Sequence, residues 1–286
     1  MDVTVESLVE SCSKLISFPE VAIRVNEMVN DPDASATDIG KVISQDPALT
    51  TALLKVANSP LYGFSREVDT VSRAVALLGG KQIRDLTLAT SAENTFKDIP
   101  NELLSMDDFW YHSLCCALSA QELADLSKIK KIESVFIAGL LHDIGQLVIF
   151  HKVPDMAVKS LMQSLDEPPG GMELYQAERE VMGFDHAQLG AALVKSLGLP
   201  ESLQTCIAFH HEPSKAEDYK IEVALTHIAN SLACLIEINS RALEDAPPID
   251  PVAWEITGLS EDVVDTVIET VSEKVAEMKS ALTMGG

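Results

Sequence analysis

Apolar residues recur at three- and four-residue spacing along nearly the whole of this 286-residue chain, and strict alternation is rare. That is the period of a helix. Each such segment hides its stripe only by lying against another helix, so the chain is predicted to be an all-α, multi-helix bundle. Aromatic residues make up only 5%, which favours helices over strands. The punctuation makes the helices short to medium. Thr37-Asp38-Ile39 opens one, and Asp46 caps another with Pro47 in its first turn. Leu78-Gly79-Gly80 closes one helix and starts the next. Ser105, followed by Asp107 and Asp108, caps a helix running to about Leu126. Residues 131–150 read as one helix, stopped before Pro154. Asp185 caps a helix ending at Gly198, and Pro200 starts another. Residues 96–101, 166–171 and 246–251 read as loops.

Residues 260–282 form one long amphipathic stretch in which Val263, Val264, Val267, Ile268, Val271, Val275, Met278 and Leu282 share a face. The face packs on its own domain, or it serves a dimer or a partner. Three segments follow from these breaks: an N-terminal helical subdomain over 1–98, a second helical subdomain over 99–245, and a proline-containing loop with the C-terminal helix over 246–286.

Apolar residues make up 47% and charged residues 23%, enough for a sizeable core. No stretch has the roughly 18 uninterrupted apolar residues of a membrane span. The start, Met-Asp-Val-Thr-Val-Glu, is acidic where a secretory signal would be basic. The expectation is a cytoplasmic protein without a membrane partner. Twenty-one Lys and Arg face 44 Asp and Glu, a formal charge of −23. Phosphate backbones need clustered cations, so nucleic acid is not an expected partner. Cys12, Cys115, Cys116, Cys206 and Cys234 are odd in number and include no Cys-x-x-Cys. That supports neither a disulfide framework nor a thiolate zinc site; most read as core filler.

Some of the seven histidines keep unusual company. In Ala138-Gly139-Leu140-Leu141-His142-Asp143-Ile144-Gly145 a His-Asp pair interrupts an apolar helix. A buried carboxylate is costly unless compensated, and a metal ion or neighbouring histidines would compensate Asp143. The flanking glycines admit another backbone. Phe209-His210-His211-Glu212-Pro213 places paired histidines at a helix end, His186 follows the cap Asp185, and His112 follows Trp110-Tyr111. Imidazole and carboxylate ligands drawn from several helices suit zinc, iron, manganese or nickel. No phosphate-binding Gly-x-x-x-x-Gly-Lys-Ser/Thr, dinucleotide Gly-x-Gly-x-x-Gly or nucleophile elbow Gly-x-Ser-x-Gly occurs.

The order of these residues resembles the HD phosphohydrolase superfamily, whose helical core uses a His, then His-Asp, then a late Asp as metal ligands. Binuclear members add an intervening His and a His-His pair, places that His186 and His210-His211 occupy here. In the segment Leu225-Thr226-His227-Ile228-Ala229-Asn230-Ser231-Leu232, Asn230 stands at the late Asp. A neutral amide is the weaker ligand, so one metal position is damaged while the other, with Asp143, His186, His210 and His211, keeps its set. His211-Glu212 runs into Pro213-Ser214-Lys215 without the Gly-Tyr-Pro signature of cyclic-di-GMP phosphodiesterases.

The N-terminal part is more specific. Leu15-Ile16-Ser17-Phe18-Pro19-Glu20, then Gln45-Asp46-Pro47-Ala48-Leu49, Val56-Ala57-Asn58-Ser59 and Ala74-Val75-Ala76-Leu77-Leu78-Gly79 are similar to the HDOD family, HD-related output domains of bacterial signalling proteins. The resemblance runs from about Leu15 to about Ser240. It implies an HD-like helical bundle in a bacterial signal-transduction module that binds a protein or small-molecule ligand, with one divalent transition-metal ion rather than two. Its metal residues would be His112, His142, Asp143, His186, His210 and His211. The alternative is a metal-dependent phosphohydrolase acting on a nucleotide or phosphate ester, with Asp143 catalytic and able to bridge two ions. A third reading is a scaffold that forms a homodimer through the C-terminal helix.

Overall fold

The computed structural model describes residues 3–13, 20–29, 31–58, 64, 67–96, 103–127, 129, 135–166 and 172–283. These residues form helices and no strand. In chain order the helices are α1 (Val5–Ser13), α2 (Glu20–Val29), α3 (Ala36–Ile43), α4 (Pro47–Ala57), α5 (Val71–Leu78), α6 (Gly80–Phe96), α7 (Met106–Leu126) and α8 (Val135–Leu141). There follow α9 (Ile144–Lys152), α10 (Pro154–Asp166), α11 (Leu174–Met182), α12 (His186–Ser196), α13 (Glu201–Phe209), α14 (Lys220–Ile238), α15 (Pro251–Thr257) and α16 (Val264–Thr283).

The chain divides into two compact units, residues 1–16 with 98–271 and residues 17–97 with 272–286. This differs from a division at residue 98 because α1 buries Leu8 and Cys12 and packs on α12 and α9. An apolar stripe goes where it is covered, whatever its place in the chain.

The unit of residues 17–97 centres on Val25, Ile43, Leu53, Val71 and Ile83, all buried. Its turns follow cap chemistry. Ser35 accepts the Asp38 N–H, so α3 opens just before Thr37. The Asp46 carboxylate accepts the Leu49 N–H at 3.0 Å. Gly79, at φ +87°, joins α5 to α6 in a conformation that side chains disfavour. Asn58 accepts the Val68 N–H at 2.7 Å and donates to the Val68 carbonyl at 2.9 Å, so the Ala-Asn-Ser motif clasps the chain ten residues on. Leu15 to Pro19, Ser59 and the loops at 97–101 and 167–171 lie outside the described residues.

The larger unit is built around α14, which is buried along nearly its whole length and packs on α7 and α8. Two segments have the length and hydropathy of a bilayer span, Val135–Lys152 and Lys220–Ile238. Of these, 78% and 67% respectively is buried inside the chain, so both serve as core. The helix expected over 131–150 is two helices: His142 and Asp143 form a turn between α8 and α9, and residues 131–134 lie outside the described set. Asp143 takes φ −98° and ψ 9° at the N-cap of α9. The break turns both side chains toward one place, which a continuous helix would spread by about 100°.

The C-terminal valine face is covered. Val264, Val267, Ile268, Val271 and Val275 are buried within the chain. This removes these positions from any free docking surface. The side chains of Met278 and Leu282 lie outside the described residues.

Candidate metal centre

Four places in the fold deliver the six sequence-predicted residues to one cluster. His112 comes from α7, His142 and Asp143 from the α8–α9 turn, His186 from the first turn of α12, and His210 and His211 from the end of α13. Two glycines make the approach possible. A Cβ on Gly145 would stand 2.0 Å from the His186 carbonyl oxygen, and one on Gly139 would stand 2.7 Å from Ala117 Cα in α7. Any side chain at either place would push apart the helices that carry the histidines.

Asp143 sits at the centre with an oxygen facing each way. Its Oδ1 lies 3.2 Å from His186 Nε2 and 3.4 Å from His210 Nε2. His186 Nε2 and His211 Nε2 are 2.8 Å apart. Outer partners set the rings. His186 Nδ1 donates to Glu178 Oε2 at 2.6 Å, and His210 Nδ1 donates to the Ile207 carbonyl at 2.8 Å. Their Nε2 atoms therefore turn inward. Asp143 Oδ1 and His210 Nε2 are buried without a hydrogen-bond partner. Orphaned acceptors of this kind are expensive unless a cation meets them. Ligands about 2.1 Å from an ion stand about 3.4 Å apart at tetrahedral angles, close to the 3.2 and 3.4 Å from Asp143 Oδ1 to His186 and His210. Asp143, His186, His210 and His211 fit a metal ion by chemistry and by spacing.

On the other side, Asp143 Oδ2 lies 3.2 Å from His142 Nε2 and 3.9 Å from His112 Nε2. His142 Nδ1 donates to the Gly139 carbonyl at 2.8 Å, leaving Nε2 to face inward. Asn230 Oδ1 stands 3.0 Å from His112 Nε2 and 3.2 Å from His142 Nε2, as the sequence order placed it. The oxygen is there, but the negative charge is not.

With protons as the only cations, the cluster polarises. Burial opposes charge on His142, yet the neighbouring Asp143 carboxylate raises it well above its ordinary value. Burial likewise opposes charge on His186, and Glu178 outweighs it, raising the ring to about 10. Burial and its charged neighbours push His210 down to about 4 and His211 well below its usual range. Asp143 stays ionised because the His142 charge overcomes the cost of burial. The buried carboxylate thus has the compensation it needs, and a divalent ion would replace those protons.

Several contributors escaped the sequence reading. Glu178 is 1% exposed and takes both the Nδ1–H and the backbone N–H of His186. Its signal was a carboxylate on the apolar stripe of α11, beside Ala177 and Met182. Tyr175 stacks on His211 with ring centres 4.4 Å apart, and the Arg179 guanidinium covers Tyr175 at 5.0 Å. Arg179 pairs with Asp185 at 2.6 Å and Glu212 at 2.8 Å. Outside the ring of ligands, Glu237 Oε1 lies 3.1 Å from His112 Nδ1. Burial, with Glu237 and Asp143 nearby, pushes the Cys234 thiol up to about 12. His227 has a different job: its Nδ1 donates to the His210 carbonyl at 2.7 Å, and its Nε2 accepts the Asp250 N–H at 2.8 Å. A cleft of about 340 Å³ opens beside the centre between Tyr175, His211, Asn230 and the segment Pro247–Pro251. Glu173 and Asp250 line it, and no Lys or Arg is among the described lining residues.

The family model for the HDOD domain matches residues 15–213. An HDOD domain protein of Geobacter sulfurreducens has a solved structure with TM-score 0.76 and 24% identity, covering 94% of this chain and 96% of that one. A Shewanella amazonensis SB2B protein described as a candidate phosphohydrolase has TM-score 0.75 and 25% identity, covering 96% and 97%. A Treponema pallidum (strain Nichols) protein is 27% identical over 227 residues, 78% of this chain but 43% of that one, so the chain spans under half the length of this curated relative.

Proposed function

This chain belongs to the HDOD domain family, and on that premise we propose that it is a cytoplasmic bacterial signal-transduction module that works mainly by binding. Its partner is a protein or a small-molecule ligand, and its centre holds one divalent transition-metal ion rather than two. The observation that carries this reading is Asn230, whose amide oxygen lies within 3.2 Å of His112 and His142 where a carboxylate would complete a second metal position. A neutral oxygen leaves more net positive charge on an ion and binds it less tightly. Asp143, His186, His210 and His211 would hold the one ion. Such an ion supplies Lewis acidity and a bound water of lowered pKa. The cleft supports a binding role as well: phosphate esters are ordinarily clamped by Arg, Lys or paired metals, and the described lining residues supply no Arg or Lys. The charge of −23 speaks against nucleic acid as a partner.

A second reading, a metal-dependent phosphohydrolase acting on a nucleotide or phosphate ester, draws on the complete half of the centre and on the likeness to the Shewanella protein. One experiment separates the two. Protein purified without chelator is analysed for metal, mapped by anomalous scattering, and assayed on phosphodiesters and phosphomonoesters. Binding as the main activity predicts an ion among Asp143, His186, His210 and His211, none between His142 and Asn230, and negligible turnover. Ions on both sides of Asp143 with rapid turnover would establish the hydrolase instead.

A further inference from the structure

We propose that His112, Cys234 and Glu237 form a separate site for a thiophilic divalent cation, zinc in the first instance, on the outer side of the His112 ring. One ring nitrogen of His112, the Cys234 sulfur and a Glu237 carboxylate oxygen all lie within 4.8 Å of one another. Cys234 and Glu237 are three residues apart on α14, so they share a face, and Asn230 lies one turn earlier on that face. The packing of α14 on α7 brings the face to His112.

The ring of His112 differs from those of His142, His186 and His210. Those three present an Nε2 inward because a carbonyl or carboxylate behind them takes the Nδ1 proton. His112 has an oxygen at each nitrogen, Asn230 Oδ1 at 3.0 Å and Glu237 Oε1 at 3.1 Å. The Glu237 carboxylate stands at Nδ1 and the Cys234 sulfur lies beside both, so nitrogen, oxygen and sulfur donors face one position. A cation there meets the ring nitrogen, the carboxylate and the thiol together.

Nitrogen, sulfur and oxygen donors with a position left open are a zinc set, and the thiolate selects for soft ions. The site is reachable, since His112 and Glu237 side chains are 16% and 30% exposed. Binding would release the Cys234 proton to solvent. Asn230 thus takes on a second meaning: an amide that weakens the inner position also frees His112 to bind outward.

Cobalt(II), added to the full chain, tests this, because a thiolate ligand gives a charge-transfer band that nitrogen and oxygen ligands do not. The expected result is a thiolate-to-cobalt band that saturates at one equivalent. Cys234→Ser should abolish it while the ion held by Asp143, His186, His210 and His211 remains. Glu237→Gln, at an exposed position that does not threaten folding, should weaken the band's cobalt affinity by about tenfold or more. The competing arrangement turns the Asn230 amide so that its nitrogen donates to Nε2, and the Nδ1 proton then goes to Glu237. It predicts no band at saturating cobalt, which would overturn the proposal, as would a band unchanged in Cys234→Ser or an affinity unchanged in Glu237→Gln. None of these outcomes alters the reading of the inner centre, whose ligands are nitrogen and oxygen.

Discussion

The two sides of Asp143 offer the same kinds of atom and differ in charge. Toward His186, His210 and His211, the carboxylate Oδ1 meets three imidazoles, and Glu178 adds a second negative charge behind His186. Toward His112 and His142, the carboxylate Oδ2 meets two imidazoles and an amide. The contacts run from 2.8 to 3.4 Å on the first side and from 3.0 to 3.9 Å on the second. Asp143 thus faces imidazole and oxygen donors on both sides, with a neutral amide where Asn230 stands. Coordination distances alone do not identify a working site; the electrostatic balance does.

Helix approach gives the largest expected contrast. Gly145→Ala forces a methyl group onto the backbone of His186, on the complete side. Overpacking against rigid backbone should cost about 1–3 kcal/mol, at the upper end here, read as a lowered urea midpoint, and should remove the ion with it. Gly139→Ala strains the contact with α7 on the His112 side. It should destabilise the chain as well, but leave residual ion affinity on the complete side once folded protein is selected. Equal loss of the ion in both variants would mean that the two sides are one unit.

Next in size is the charge behind His186. Glu178→Gln keeps the volume and removes the carboxylate. Partners behind metal-binding histidines typically matter by about tenfold to a hundredfold in affinity, so calorimetry with zinc should register a loss in that range. An unchanged affinity would show that Glu178 has only a packing role.

Asn230→Asp acts on the incomplete side and in the opposite direction. Restoring the charge should raise ion affinity between Asp143, His112 and His142 about tenfold, or roughly 1.4 kcal/mol. Metal counting with anomalous maps would reveal the added ion. No gain there would mean that the amide is not what keeps the position weak.

Much of this centre was legible because its residues break local rules. Asp143 is a charge in an apolar stretch, and His210-His211 is an adjacent pair shortly before a proline. The all-helical fold was legible from period alone. What escaped the sequence depends on pairs far apart in the chain. The break between α8 and α9 serves tertiary demands on His142 and Asp143, which no propensity encodes. The place of α1 depends on which surface covers Leu8 and Cys12. Cys234 read as core filler because thiolate sites are found in sequence by Cys pairs, and its companions here are a glutamate three residues on and a histidine on another helix. The valine face of α16 suited a core or a partner, and burial of Val264, Val267, Ile268, Val271 and Val275 decides for the core at those positions.

The smallest predicted effect concerns what steadies His211. Its ring lies parallel to Tyr175, at 8° and 4.4 Å, and the Arg179 guanidinium lies over the Tyr175 ring at 5.0 Å. Arg179 is fixed in turn by Asp185, which caps the helix of His186, and by Glu212, which follows His211. The stack therefore links α11 to two histidines of the complete side and to nothing that ligates on the other. Aromatic stacking is worth about 0.5–1.5 kcal/mol, so Tyr175→Leu should lower zinc affinity by about threefold to tenfold through a less fixed His211. Tyr175→Phe keeps the ring and should behave like the parent chain, because the hydroxyl's partner is the Gln176 amide, at 3.3 Å, rather than a metal residue. The control is the added ion in the Asn230→Asp background. Tyr175→Leu should leave its affinity unchanged if the stack serves one side alone. Equal weakening of both ions would trace the effect to general loosening and remove Tyr175 as a positioning residue.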